Sequence, residues 1–547
     1  MTSISRPSRR DFLRHAAVFA SAGGLAPGLT PHLFRGRRLD VVIRGGMLID
    51  GSGTPAVRAD LGITGGRISR IGQLGNEAAG RVIDATGLVV APGFIDVHAH
   101  TNLIGNPRGQ SKVYQGVTLD LTGPDGGSSF PNRVDGPGLV TDADQCSSFR
   151  AWKERHGDIA MNIGSYVGHG TVRNLVLGPV QRPPTDRELG VMQDLVRQAM
   201  EEGAIGLSSG LEYNPSGFAE TEEIIALAKV AAEYGRPYGT HMRSEDQLLV
   251  ESTEESIRIC RESGAPLLIT HMKVGGRPNW SKIDALIETV ERARADGLNV
   301  HCDRYPYEAW STSLSINFPG WSKEGGRFNE RLQDPQQRIR MKAETLESVE
   351  ANGGWGALMI SGGVRGSDRE LIGQRVNEVA EEKGVDSYDL ACDLLARGSV
   401  SIIGFGMSEE NTERIIALPY CMIASDGSAM VASDTPGGHP RSFGTFPRAI
   451  RRYVRERKLV SLEEMIRKMT SLPAAVFNLQ DRGILAEDKV ADVVVFDPDT
   501  IADESTYIEA RKYATGIEYL LVNGKIAVDQ GRQTEAAAGT VVTSTGG

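Results

Sequence analysis

Apolar and polar positions change period along this chain, and the changes divide it. Over residues 39–84 the pattern is short and glycine-punctuated. Asp40-Val41-Val42-Ile43-Arg44, Leu61-Gly62-Ile63-Thr64 and Arg67-Ile68-Ser69-Arg70-Ile71 read as strands between turns. The same style returns in Ala491-Asp492-Val493-Val494-Val495-Phe496 and Tyr519-Leu520-Leu521-Val522-Asn523-Gly524. Strand-rich segments at 36–90 and 480–535 therefore predict one small β-sandwich domain built from both chain ends. Between them strand and helix patterns alternate, which argues for a parallel sheet covered by helices. Thr185-x-x-Glu188 reads as a capping box opening a helix with Leu189, Met192, Val196 and Met200 on one face. Ser461-x-x-Glu464 does the same before Leu462, Met465, Ile466 and Met469, and both methionine stripes read as core. Strand candidates end near His100, Gly123, Gly168, Ser208, His241, His271, Asp303 and Asp426. Ser401-Ile402-Ile403-Gly404-Phe405 is a ninth, so the pattern leaves the strand count open. Residues 318–354 are polar and glycine-rich around a charged helix, and read as an insertion: a lid or a solvated excursion. Residues 536–547 are small and read as a frayed end.

Composition narrows this little. The 547 residues exceed one ordinary domain, and 40% apolar with 24% charged residues is a globular profile. A net charge of -10 argues against nucleic acid as a partner. No apolar run reaches the roughly 18 residues that suggest a membrane span. Cys146, Cys260, Cys302, Cys392 and Cys421 are scattered, without a C-x-x-C pair, which argues against a disulfide scaffold. Residues 1–35 differ from the rest. Arg9-Arg10, Phe12-Leu13 and the run Ala16-Ala17-Val18-Phe19-Ala20 resemble a twin-arginine export signal, which predicts a periplasmic or secreted protein with no membrane span left after export. A disordered basic N-terminus is the plainer reading.

Candidate chemistry sits at the strand ends. His98 and His100 close the run Ala91-Pro92-Gly93-Phe94-Ile95-Asp96-Val97, and positions i and i+2 of a strand face the same side. Alone, such a pair is two polar residues ending a strand. His241 and His271 end two further strands, 30 positions apart, the span of one βα unit. Four histidines in equivalent places point to metal. Asp426 ends another strand, before Gly427. It is either a turn aspartate or a carboxylate placed for proton transfer beside a cation. Asp125 lies in Gly123-Pro124-Asp125-Gly126-Gly127, a ligand or a plain loop aspartate.

Pro92-Gly93-Phe94-Ile95-Asp96-x-His98-x-His100 resembles the first barrel strand of the amidohydrolase superfamily. Glu202-Gly203-Ala204-Ile205-Gly206-Leu207-Ser208-Ser209-Gly210-Leu211, Thr240-His241-Met242-Arg243, Thr270-His271-Met272-Lys273, Ser425-Asp426-Gly427 and His439-Pro440-Arg441-Ser442-Phe443-Gly444 narrow the resemblance to the D-aminoacylase branch. It covers residues 39–531. The resemblance implies a (β/α)8 barrel over residues 91–479 beside the terminal β-sandwich. It implies one or two zinc ions, with His98, His100, Asp125, His241 and His271 as ligands and Asp426 as the group that takes a proton from the attacking water and passes it to the leaving amine. The branch usually carries a cysteine ligand where this chain has Asp125, so either a carboxylate bridges there instead or the metal binding differs. Lys273 matches a position near the substrate; a surface lysine and a carbamylated ligand are its alternatives. Tyr305, Ser311 and Arg441 match positions that hold a substrate carboxylate, for which arginine is a natural fork. Each also has an ordinary reading as packing or solvated surface. Arg243 and His439 are lesser candidates, and His169 and His301 read as structural. The implied activity is hydrolysis of the linear amide of a small N-acyl-D-amino acid. A dipeptidase, a cyclic-amide hydrolase and a non-catalytic metal-bound binding protein are the alternatives.

Overall fold

The computed structural model describes residues 38–132 and 145–544; the segment read as an export signal lies outside them. Eight parallel strands close into a barrel. Phe94–Ala99, Val117–Thr122 and Asn162–Ser165 pair in that order. The third strand resumes after Tyr166 as Val167–Gly168 and there changes partner to Leu207–Gly210. Tyr238–His241, Leu267–Ile269, Val300–Arg304 and Cys421–Ile423 follow. The ring closes where the Asp426 N–H donates to the His98 carbonyl at 2.8 Å and the His100 N–H to the Gly427 carbonyl at 3.0 Å. Side-chain alternation sorts these strands into two cores. Val97, Leu121, Leu268 and Met422 fill the barrel interior. Their neighbours Leu267, Ile269, Cys421 and Ile423 face the surrounding helices. All five cysteines are buried.

The helix Asp186–Glu202 carries the full capping box: Thr185 Oγ1 accepts from Glu188 N, and Glu188 Oε2 from Thr185 N. Its Met192, Val196 and Met200 are buried in the outer core. The helix Leu462–Met469 is capped by Ser461, but Glu464 leaves the box open and pairs with Arg467 at 2.7 Å instead.

Three expectations need correction. The ninth strand candidate is not in the barrel. Ser401–Gly404 is the centre of a three-stranded antiparallel sheet, between Trp310–Ser313 and Leu358–Gly362. That sheet and the helices Pro335–Ala351, Val376–Lys383 and Ser387–Arg397 enclose their own core, including Met341, Val379, Leu394 and Ile402. The insertion therefore runs over residues 310–404 rather than 318–354, because its second half carries the same apolar strand and helix pattern as the barrel. Nor are residues 536–544 frayed. Gly539 N donates to Ile159 O and Val542 N to Ile163 O, both at 2.8 Å, so residues 539–542 lie along the base of the third barrel strand. Small residues permit that approach: a Cβ on Gly539 would sit 2.0 Å from the Met161 carbonyl oxygen.

The terminal strands make one nine-stranded sheet. Leu39–Leu48 pairs on one side with Val57–Thr64 and on the other with Ala79–Asp84, then Val89–Pro92. A register shift between Ile43 and Gly46 marks the bend that such irregularities produce. Val493–Phe496 joins beyond Val89–Pro92 and leads to Ile517–Val522 and Lys525–Asp529. Ile43, Ile63 and Ile83 share a core with Val90, Val493, Val495 and Leu521, which is the packing of a β-sandwich.

Candidate active site

The residues singled out at strand ends converge at the C-terminal mouth of the barrel, where catalytic groups of such barrels lie. His98 and His100 leave the first strand, Asp125 follows the second, and His241 ends Tyr238–His241. His271 and Asp426 stand just beyond Leu267–Ile269 and Cys421–Ile423. His98 Nε2 is 3.3 Å from Asp125 Oδ2, and His100 Nε2 is 3.0 Å from Asp426 Oδ1. His241 Nδ1 is 2.9 Å from His271 Nε2, which lies 3.6 Å from Asp125 Oδ1. Donor atoms of His98, His100, Asp125 and Asp426 all fall within 4.8 Å of one another, as do those of Asp125, His241 and His271. Asp125 belongs to both sets.

The backbone is forced here. Asp125, His271 and Asp426 have φ of 53°, 36° and 49°, in the left-handed region that non-glycine residues avoid. The Asp125 loop also presses on the fourth strand. A Cβ on Gly210 would lie 2.3 Å from the Asp125 carbonyl oxygen, so glycine there lets the loop seat.

A second layer of carboxylates orients the imidazoles, and sequence reading missed it. Asp303 Oδ1 accepts the His271 backbone N–H at 2.8 Å and lies 3.5 Å from the ring Nδ1 of His98. Glu212 Oε2 is 3.0 Å from His241 Nε2, and Glu245 Oε1 is 3.0 Å from His271 Nδ1. Asp303 was visible as a strand end. Glu245 had one weak signal, its place four residues after His241, and Glu212 had none beyond following Gly210-Leu211. Lys273 is buried, pairs with Glu245, and lies 2.7 Å from His271 Nδ1, so the surface reading of it is wrong. Burial alone would lower its ammonium pKa, but Glu245 holds it above the usual lysine value. Burial would likewise raise the Asp125 carboxyl, yet the His98 and His271 rings hold it well below the ordinary range.

A cavity of about 850 Å³ opens onto these groups, lined in part by Tyr305, Ser311 and Arg441. Arg441 is not an open fork. Its Nη1 lies 2.7 Å from Asp426 Oδ2 without hydrogen-bond alignment, and its Nη2 donates to the Ser311 carbonyl at 3.2 Å. Its guanidinium stands 5.2 Å from the centre of the Tyr305 ring. Burial opposes charge on Asp426, but Arg441, then His98, hold its pKa far below the carboxylate norm. His439 positions Arg441: its Nδ1 accepts the Arg441 N–H at 3.0 Å while Nε2 donates to the Ala309 carbonyl at 3.0 Å. Burial, then the Arg441 charge, push the His439 pKa well down, so this ring is neutral. Arg243 lines the cavity but pairs with Glu255. His169 is tied to Ser216 and Glu223, and His301 to Asn299, as structural residues are.

The donor set fits zinc or a similar divalent cation. Four imidazoles and two carboxylates converge, and three of the rings have their remote nitrogen beside a carboxylate that would fix tautomer and orientation. Asp125, facing both sets, has the oxygen pair that a bridging ligand needs.

Known proteins resemble this chain over most of its length. The profile described as "Amidohydrolase family" matches residues 81–265 and 371–528. The D-aminoacylase of Alcaligenes xylosoxydans xylosoxydans is 38% identical over 92% of this chain and 98% of its own length. The N-acyl-D-glutamate deacylase of the same organism is 36% identical over 89% and 93%. A crystal structure of N-acyl-D-glutamate deacylase from Bordetella bronchiseptica, complexed with zinc and a phosphonate mimic of the tetrahedral intermediate, superimposes with a TM-score of 0.79 and 34% identity, covering 93% of this chain and all of that one.

Proposed function

Since the chain belongs to the amidohydrolase family and is a metal-dependent hydrolase of linear amide bonds, we propose that it deacylates N-acyl-D-amino acids with zinc held by His98, His100, Asp125, His241 and His271. The observation that supports this most directly is the pair of donor sets sharing Asp125 at the floor of the cavity, with Asp426 in contact with one of them. When bound, the metal supplies Lewis acidity that polarises the amide carbonyl and acidifies water. The chain's own residues do the rest. Asp426 accepts the proton of the attacking water at its carboxylate and returns it to the leaving nitrogen. Asp303, Glu212 and Glu245 keep the imidazoles aimed. Arg441, with Tyr305 and Ser311 beside it, takes the substrate carboxylate and so turns one face of the amide toward the attack.

A panel of N-acetyl-D-amino acids, their L-enantiomers, carboxamides, dipeptides and cyclic amides tests this reading, with Arg441→Ala alongside. The D-acids are expected to react fastest, and Arg441→Ala to lower kcat/KM for acids about tenfold or more beyond its effect on carboxamides, which reports the lost Asp426 contact alone. Equal rates for acid and carboxamide would remove the clamp. Faster cleavage of L-acids, dipeptides or cyclic amides would reassign the substrate. Zinc content should fall in Asp125→Ala; full occupancy there would return Asp125 to a plain loop.

We also propose export through Arg9-Arg10. Replacing both with lysine should retain the enzyme in the cytoplasm; unchanged periplasmic activity would refute it.

A further inference from the structure

Four lysine or arginine side chains line the cavity, and three have carboxylate partners. Arg243 pairs with Glu255, Lys273 with Glu245, and Arg441 with Asp426. Lys323 differs. Among the described residues its Nζ has no carboxylate within ion-pair reach and donates to the Phe318 carbonyl at 2.9 Å. It comes from the insertion, on the segment Gly320–Gly326.

That segment is tied down. Asn214 Nδ2 donates to the Gly320 carbonyl at 3.1 Å, and Gly325 N to the Pro179 carbonyl at 2.8 Å. Arg331 Nη1 donates to the Ser322 and Glu324 carbonyls at 2.8 and 2.7 Å. Lys323 is thus presented to the cavity from a fixed loop, among the aromatic rings of Trp310, Phe318 and Trp321, not swung through solvent. Lys323 is half-buried, and an ammonium partly withdrawn from water without a counter-ion is unfavourable unless a ligand brings one. Burial pulls its pKa down to about 8, with Glu212 alone acting against that.

We infer that Lys323 receives a second carboxylate of the substrate, on the amino-acid side chain or at the far end of the acyl group. The inference rests on the deacylase reading, in which Arg441 serves the α-carboxylate. It adds a selectivity: dicarboxylic substrates over neutral ones of the same shape. A charge-assisted hydrogen bond in a partly dry site, lost on neutralising the ligand, is the physical basis.

The test uses two matched pairs. N-acetyl-D-glutamate against N-acetyl-D-glutamine probes the side chain. N-succinyl-D-leucine against its terminal amide probes the acyl end. In the wild type one pair should favour the acid by about 10- to 100-fold in kcat/KM. That ratio should collapse toward one in Lys323→Met and return largely in Lys323→Arg. The pair that responds identifies which end of the substrate Lys323 meets. Equal rates for acid and amide in both pairs, or a preference that survives Lys323→Met, would overturn the inference while leaving a working deacylase. Hydrolysis of none of the four compounds would instead remove the deacylase reading, and the inference with it.

Discussion

Asp426→Asn is expected to lower kcat by about 10²–10⁴, the usual contribution of a positioned general acid–base group, with zinc content unchanged. Asparagine keeps the size and one oxygen acceptor of the side chain but cannot take a proton from water. The geometry makes Asp426 a stronger candidate than its neighbours. It stands 3.0 Å from His100 and 3.5 Å from His98, at the edge of one donor set rather than between the two. Asp125 occupies the shared position, and Glu212, Glu245 and Asp303 face the outer nitrogens of rings. The Arg441 pair also explains why Asp426 is ionised in the resting site, as a proton acceptor must be. Metal analysis alongside single-turnover kinetics decides the matter. Near-normal turnover would reassign the proton transfer. Loss of zinc in step with loss of rate would make Asp426 a ligand and leave the proton carrier unidentified.

Much of this centre was legible because its residues obey strand periodicity. The i, i+2 pair His98 and His100, and strand ends His241 and His271 one βα unit apart, are local patterns that a barrel turns into a cluster. Asp125 was legible as a candidate ligand only through the family resemblance, since its glycine-rich turn reads equally as a plain loop; its seat depends on Gly210 of a strand distant in sequence. Glu212 and Glu245 were hidden because their chemistry arises when two βα loops fold back over neighbouring rings, which no spacing announces. The Arg441–Asp426 pair was hidden for the same reason: each residue was assigned a separate task, and only tertiary structure sets them in contact. In the fold, the insertion was read too short because Leu358–Gly362 and Ser401–Gly404 are as apolar as barrel strands. Hydrophobic pattern reports burial, and that insertion buries a core of its own.

Lys112→Met should destabilise the protein by about 3–5 kcal/mol, the typical cost of removing one partner from a buried ion cluster. Lys112 is fully buried behind the active site. Its Nζ donates to Asp96 Oδ2 at 2.5 Å and Ser425 Oγ at 2.7 Å, and lies 3.5 Å from Asp120 Oδ2. Asp96 Oδ1 in turn accepts the Ser425 N–H at 2.9 Å and the His98 N–H at 3.3 Å. One ammonium thus joins the first, second and eighth barrel strands beneath His98 and Asp426. Methionine matches its length but leaves Asp96 and Asp120 buried without a cation. The pH dependence follows from sign. Burial raises the Asp120 carboxyl to about 7, with Lys112 the main opposing influence. A folded pKa above the unfolded value means the native state holds an extra proton between the two, so stability falls as pH rises through that window. Removing Lys112 pushes Asp120 higher still. The deficit against wild type should therefore be smallest near about pH 5, where Asp120 is neutral in both proteins, and widen toward about pH 8. Thermal midpoints at the two pH values measure it, and Asp120→Asn added to Lys112→Met should recover part of the loss. A deficit independent of pH, or no deficit, would show that packing rather than charge holds these strands.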